Sequence, residues 1–205
     1  MTKSISNHNK VVILLLACLS CSTEPCFDIP KIDRFTEYTK DWFVDENIGN
    51  TTFIDSNGIS QTLIKQDSYY YSHSFIEDDC GKTYDHFNHS IQLITSLSGL
   101  HFIIDVGGAT FDSTGFYLRL GITNLDKGYK SMEYDFYTKK TRDSNAIVKF
   151  LPELSMTSRE FEDVLEIDFK KTFSPTDAKV VYYAKGYGII KFIQQNGNVY
   201  EVNSI

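Results

Sequence analysis

Apolar residues alternate with polar ones along most of the chain after residue 50, and turn residues separate the alternating stretches. No window offers a long apolar stripe with the 3.6-residue period of a helix and matching caps. A period of two places successive side chains on opposite faces of a β-strand. The pattern therefore predicts a domain that is mainly β.

The clearest hairpin lies near the C-terminus, where Asn196-Gly197 separates the apolar-rich runs 187–193 and 199–202, and 179–183 precedes them. Asn-Gly is a strong hairpin signal because both residues tolerate positive φ. Residues 52–60 contain the same pattern, Phe-Ile-x-x-Asn-Gly, as residues 192–197. We interpret this likeness as shared hairpin chemistry, because a true repeat should extend beyond six residues.

Further strands are predicted at 90–96, 100–106, 116–123, 132–138, 146–151 and 164–170. Strands this numerous at short spacings predict a single antiparallel β domain over residues 31–205. A curved sheet or half-barrel, lipocalin-like or LolA-like, is favoured, and a β-sandwich is the alternative. Residues 158–163 are expected to allow one helical turn, and 32–43 fit either a helix or a strand.

The N-terminal region has the layout of a secretory signal. It contains Lys3 and Lys10, no acidic residue, and an apolar run at 11–17 that ends at Cys18. This run is too short for a transmembrane helix, which needs about 20 apolar residues. Leu15-Leu16-Ala17-Cys18 fits a lipobox, in which the cysteine after a small residue is acylated. We therefore predict a signal peptide at 1–17, lipidation of Cys18, and a tether at 18–30.

Cys21 is the alternative lipid acceptor, with a signal peptide at 1–20, because it also follows a small residue. Lipidation of Cys21 leaves Cys26 and Cys80 as an even pair, whereas lipidation of Cys18 leaves Cys21 unpaired. In an oxidising compartment we expect a Cys26–Cys80 disulfide. Closing a loop of that size would stabilise the fold by about 4 kcal/mol. The sequence leaves the choice of acceptor open.

The charge balance argues against nucleic acid as a partner. Residues 1–17 hold two lysines and no acidic residue, so the remaining 188 residues carry 18 Lys plus Arg against 27 Asp plus Glu, a net charge of −9. Nucleic-acid-binding domains are typically basic. The composition is otherwise that of a globular protein rich in aromatic residues.

Two glycine-containing strings resemble nucleotide-binding loops. Residues 104–112, Ile-Asp-Val-Gly-Gly-Ala-Thr-Phe-Asp, resemble a phosphate-binding turn of the actin and sugar-kinase superfamily. That fold needs a second such turn in a much longer chain, so we expect a glycine-rich turn between strands. Gly186-x-Gly188 precedes a β pattern and not a helix, which excludes a dinucleotide loop. These two glycines are expected to mark a bulge or bend.

Other chemistry-bearing residues do not form a recognisable constellation. His86 and His89 lie three apart, so a strand would place them on opposite faces, and a metal site would need His73 or His101 as well. No Gly-x-Ser-x-Gly motif is present. The acidic clusters lack the spacing of a calcium loop. We expect no catalytic residue, metal or cofactor, and we expect the tyrosine-rich runs to pack across strands.

The segment 181–192, ahead of the Asn-Gly hairpin, resembles the C-terminus of small envelope lipoproteins of the Bacteroidota type. The segment 161–167 is similar to their penultimate strand. This likeness covers about the last fifty residues and the signal region. The resemblance implies a curved antiparallel sheet and transfers no catalytic residue.

These features predict an envelope lipoprotein, anchored by its N-terminal lipid and located at the outer membrane. The leading hypothesis is a non-enzymatic domain that binds another envelope protein or a glycan. The alternative is a carrier of lipid or another apolar ligand in a half-open barrel, which requires an unfilled apolar cavity. A hydrolase would instead require converging carboxylates or a nucleophile paired with histidine.

Overall fold

Antiparallel β-strands make up all the regular structure of the residues that the computed structural model describes, which are 41–42, 51–76, 83–96, 99–109, 117–124, 128–136, 138–142, 145–157 and 159–204. These residues belong to one compact unit, Lys31–Ile205. Within the described ranges, no helix has the length and apolar character to cross a membrane.

The strands are β1 (Thr51–Asp55), β2 (Ser60–Ile76), β3 (Thr83–Thr95), β4 (Leu100–Ala109), β5 (Tyr117–Asn124), β6 (Gly128–Asp135), β7 (Lys140–Thr141), β8 (Ala146–Ser155), β9 (Glu160–Phe169), β10 (Ala178–Ala184), β11 (Gly188–Gln194) and β12 (Val199–Ser204).

The twelve strands form a single sheet in the order β7-β6-β5-β4-β3-β2-β1-β12-β11-β10-β9-β8. Strands β1–β7 make one meander and β8–β12 another, and the pairing of β1 with β12 joins them. The sheet curls until it nearly closes into a barrel, with β7 and β8 as its two edges. The prediction of a curved antiparallel sheet is therefore confirmed.

Four bulges interrupt the ladders of this sheet. The extra residues are Gln66 in β2, Lys179 in β10, Ile190 in β11 and Asn203 in β12. A bulge bends its strand and increases the local right-handed twist. These positions therefore help the sheet to curl.

Aromatic side chains fill the interior between opposite walls. Phe102 on β4 lies 5.9 Å from Phe192 on β11, although five steps of the sheet order separate these strands. Phe192 also contacts Phe53 at 5.4 Å and stacks on Tyr200 at 4.9 Å, all between ring centroids. Phe53, Phe102 and Phe192 are fully buried. Burying such a side chain typically contributes about 1.5–3 kcal/mol.

The two Phe-Ile-x-x-Asn-Gly segments form the same turn. In each, the residue that ends the first strand bonds to the residues three and four positions later. The bonds run from Gly58 N–H to Asp55 O (3.0 Å) and from Asp55 N–H to Ile59 O (3.0 Å), and likewise from Gly197 N–H to Gln194 O (2.9 Å) and from Gln194 N–H to Asn198 O (2.8 Å). Both predicted hairpins are confirmed, and their phenylalanines meet in the core.

Several local predictions were wrong. Residues 160–163 extend strand β9 and form no helical turn. Gly107 and Gly108 belong to strand β4, where they pair with β3, so they are not a turn. Gly186 lies in the β10–β11 turn and Gly188 starts β11, both with φ near +77°, whereas the neighbouring bulge falls at Ile190. The strand predicted at 132–138 is β6, four residues earlier at its start.

We expect Gly58→Ala and Gly197→Ala each to lower the free energy of unfolding by about 1–2 kcal/mol, because both glycines adopt positive φ (79° and 91°). A Cβ at either position would meet nothing within 4 Å, so the loss of stability would come from the backbone conformation alone. Urea denaturation measures the change. Gly→Asn at the same sites is the control and should cost less, since asparagine tolerates this conformation. Equal losses for Ala and Asn would contradict the explanation.

Candidate functional site

One end of the barrel contains the chain's single tryptophan. Trp42 is 8% exposed although it lies outside the strands. Its ring lies 4.8 Å from the ring of Phe136, which follows β6, and stacks on Tyr183 of β10 at 6.4 Å. We call this the Trp42 end.

Polar contacts fasten Asp41 and Trp42 to the β10–β11 hairpin. The Tyr183 hydroxyl donates to the Trp42 carbonyl, and the Gly186 N–H donates to the Asp41 carbonyl, each at 2.6 Å. The Lys185 amine lies 3.2 Å from the Asp41 carboxylate. Burial raises the pKa of Tyr183, so its hydroxyl keeps the proton that it donates.

The opposite end contains a buried lysine, and we call it the Lys130 end. Lys130 lies opposite Ile122 on the inner face of the sheet and is 6% exposed. Its amine donates to the Ala178 carbonyl at 2.6 Å and lies 4.9 Å from the centroid of the Phe169 ring. Burial lowers the pKa of Lys130 to about 8, against the opposing effect of Asp177.

Asp177 organises the loop between β9 and β10 at this end. It is 1% exposed and accepts from the Ser174 N–H at 3.1 Å and from the Ser174 hydroxyl at 2.8 Å. Its carbonyl accepts from the Gln195 N–H at 2.9 Å, which joins this loop to the β11–β12 turn. The loop is therefore a fixed part of the Lys130 end.

A row of polar side chains crosses the outer face from β8 to β12. Its members lie in direct register on five neighbouring strands: Lys149, Glu166, Tyr182, Lys191 and Glu201. Lys149 pairs with Glu166 at 3.0 Å, and Lys191 pairs with Glu201 at 2.8 Å. Burial, followed by the charge of Glu166, raises the pKa of Tyr182 to about 12. The two ion pairs, with Tyr182 between them, link side chains across the five strands.

A second charged group attaches the two-residue strand β7. Arg142 contacts Asp135 at 2.7 Å and Glu133 at 3.0 Å, and Glu133 also pairs with Arg119 at 2.7 Å. Carboxylates and arginines alternate, so the group satisfies its own charges. Its geometry explains how a very short strand stays on the sheet.

The sheet edge at β8 exposes large apolar side chains. Ile147 is 49% exposed and lies opposite Asp168 on the outer face. Phe150 is 46% exposed and lies opposite the buried Leu165, so it belongs to the inner face. Elsewhere in the described ranges, the exposed large apolar side chains are Ile59, Ile64, Tyr129 and Tyr187. Apolar exposure on both faces of one edge strand makes β8 the candidate interaction surface.

Most of the site residues predicted from sequence lie outside the described residues. These are Cys18, Cys21, Cys26 and Cys80, together with the signal peptide and the tether. The lipidation and the Cys26–Cys80 disulfide therefore stay predictions. Residues 32–43 are described at Asp41 and Trp42, which are in a turn.

The histidines do not converge where their side chains are described. His89 lies opposite Val106 on the inner face, where its Nε2 is 3.4 Å from the Ser68 hydroxyl. His101 precedes the inward-facing Phe102 and belongs to the outer face. Among the described residues, no group of three His, Cys, Asp or Glu side chains could hold a metal ion.

Sequence reasoning missed the structural roles of Trp42, Lys130 and β8. Trp42 stands in a segment whose pattern fits helix or strand equally. The sequence around Lys130 contains no motif that indicates a buried lysine. One signal was available: Pro152 inside an otherwise strand-like run indicates an edge strand, since proline cannot donate to a ladder.

Comparison of the chain with protein-family models, curated proteins and solved structures finds no match.

We expect Lys130→Met to abolish a rise in stability with pH between about 8 and 9.5. In the unfolded chain a lysine keeps its proton up to about pH 10.4, whereas Lys130 in the folded protein loses it near pH 8. The unfolded chain therefore binds more protons in this window, and raising the pH stabilises the fold.

Thermal unfolding of the native chain and of Lys130→Met at pH 8.0 and 9.5 tests this. The difference between the two proteins removes the contribution of other groups. Equal pH slopes would show that Lys130 keeps its charge in the folded protein.

Proposed function

We propose that this chain is a lipid-anchored protein of the bacterial outer membrane, and that its β domain binds another envelope protein without catalysing a reaction. The observation that carries the proposal is the edge strand β8, where Ile147 and Phe150 are both about half exposed. These two side chains lie on opposite faces of the same edge, so a strand that added to β8 would have an apolar side chain to contact on each face.

The backbone of β8 favours a protein partner over a glycan. The Lys170 N–H donates to the Asn145 carbonyl at 2.9 Å. This bond shows which alternate residues of β8 bond to β9. Odd-numbered residues of β8 therefore bond to β9. The N–H and C=O groups of Ala146, Val148 and Phe150 point towards the edge of the sheet. An extended segment of another protein can use such groups to add as a strand.

Pro152 and Lys149 limit where a strand of another protein can add to β8. Pro152 lies at an edge-facing position and offers no N–H, and exposed lysines are common on protected edges. Strand addition beyond Pro152 is therefore disfavoured. The available segment is the part of β8 before Pro152, where both exposed apolar side chains lie.

The filled interior supports an interaction domain more than a carrier. A carrier needs an apolar cavity, whereas Phe102 and Phe192 touch from opposite walls. Extraction of the native protein followed by lipid analysis separates the two roles. A stoichiometric lipid that is bound non-covalently, in addition to the lipid on the N-terminal cysteine, would favour the carrier.

We expect Ile147→Ser to weaken the binding of the partner at least tenfold while changing stability by less than about 0.5 kcal/mol, because this side chain is half exposed. Ile59→Ser is the matched control, since Ile59 is 48% exposed but lies in the β1–β2 turn.

Chemical cross-linking in cells, followed by sizing of the solubilised complex, measures the effect. Ile147→Ser should shift the protein to the size of a free monomer, and Ile59→Ser should not. Co-sedimentation with isolated peptidoglycan tests the glycan alternative. Binding to peptidoglycan that Ile147→Ser does not weaken would contradict the role of β8.

The anchor generates a separate prediction. Cys18→Ser together with Cys21→Ser should move the protein from the membrane to the soluble fraction, because both lipid acceptors are lost. Cys26→Ser is the control and should stay membrane-bound. Intact-mass analysis of the single variants identifies the acceptor. Persistent membrane attachment of the double variant would exclude the lipid anchor.

A further inference from the structure

The segment Asp41–Trp42, which we call the plug, occupies its site without belonging to the sheet. Its polar contacts come from Tyr183, Lys185 and Gly186, all within the β10–β11 hairpin. These contacts are two hydrogen bonds to backbone carbonyls, one donated by a side-chain hydroxyl and one by a backbone N–H, and one ion pair. If the plug left the site, it would lose these contacts and the ring contacts of Trp42 with Phe136 and Tyr183, but no described strand ladder would break.

A vacated site would present a specific set of groups. The rings of Phe136 and Tyr183 would line it, with Tyr134 packed against Phe136 at 5.5 Å. The Tyr183 hydroxyl and the Gly186 N–H would both lack the acceptors that they now have. A buried donor that lacks an acceptor is unfavourable, so the site favours having an occupant.

We propose that the site at the Trp42 end is an exchangeable binding site, in which an apolar ligand with a carboxylate head group replaces the plug. The ligand's apolar body takes the place of the indole ring against Phe136 and Tyr183. Its carboxylate accepts from the Tyr183 hydroxyl and the Gly186 N–H, as the two plug carbonyls do here.

The charge of Lys185 selects an anionic head group. Its amine lies 3.2 Å from the Asp41 carboxylate and 3.9 Å from Asp163. When the plug leaves, Asp41 leaves with it, and a ligand carboxylate restores the lost ion pair. A cationic head group would instead face Lys185 and the two donors, so it is rejected.

Competition with the plug sets the apparent affinity. A ligand binds the fraction of molecules in which the plug is out, so weakening the plug tightens the apparent binding in proportion. This inference depends neither on the lipid anchor nor on β8. Its failure would leave the proposed function untouched, and the reverse also holds.

The native chain supplies its own probe, because Trp42 is its single tryptophan. Dodecanoate is titrated below its micellar concentration, and acrylamide quenching of the tryptophan fluorescence is followed. We expect quenching to rise saturably to the level of an exposed indole while the far-ultraviolet circular dichroism stays constant. Dodecyltrimethylammonium has the same tail with the opposite charge and should leave Trp42 shielded.

Two variants make the test specific. Asp41→Asn weakens the plug and should lower the dodecanoate concentration at half-effect about two- to fivefold, as expected for a partly exposed ion pair. Asp163→Asn removes the other carboxylate near Lys185, to the benefit of plug and ligand alike, and should leave that concentration unchanged. Trp42 staying shielded at high dodecanoate, equal effects of the two surfactants, or equal shifts in the two variants would each overturn the proposal.

Discussion

The pairing of β1 with β12 is the constraint on which the rest of the structure depends. Without it the chain would form two separate meanders, each with apolar side chains on one face and no opposite wall to cover them. With it, Phe53 on β1 and Phe192 on β11 flank β12 and meet in one core. Both ends of the barrel also depend on this ladder, because each brings residues near β6 together with residues of β10.

Local sequence signals predicted the two Asn-Gly hairpins, but they did not predict strand β2 or the ends of the barrel. Both Asn-Gly turns form, and their glycines, Gly58 and Gly197, have the positive φ that the sequence predicts, whereas Asn57 and Asn196 do not. Strand β2 was missed because its 17 residues, Ser60–Ile76, are mostly polar. Backbone hydrogen bonds to β1 and β3 hold this strand, and such bonds leave no apolar pattern in the sequence.

The two ends of the barrel could not be predicted, because the residues that meet there lie far apart in the sequence. The Lys130 amine donates to the carbonyl of Ala178, 48 residues away. The Trp42 carbonyl accepts from the hydroxyl of Tyr183, 141 residues away. Such positions violate local rules, and they are where both a pH response and an exchangeable segment arise. The lipid anchor is the opposite case, since a short contiguous motif predicts it.

The β1–β12 ladder also sets when the protein can fold. Its register joins Thr52 to Ser204, so the first strand finds its second neighbour only after the last strand has been synthesised. Sheets dominated by such distant contacts fold slowly, on the order of milliseconds to seconds. A chain built this way cannot complete its tertiary structure until β12 has been synthesised, so its two meanders must each persist for a time with one apolar face uncovered.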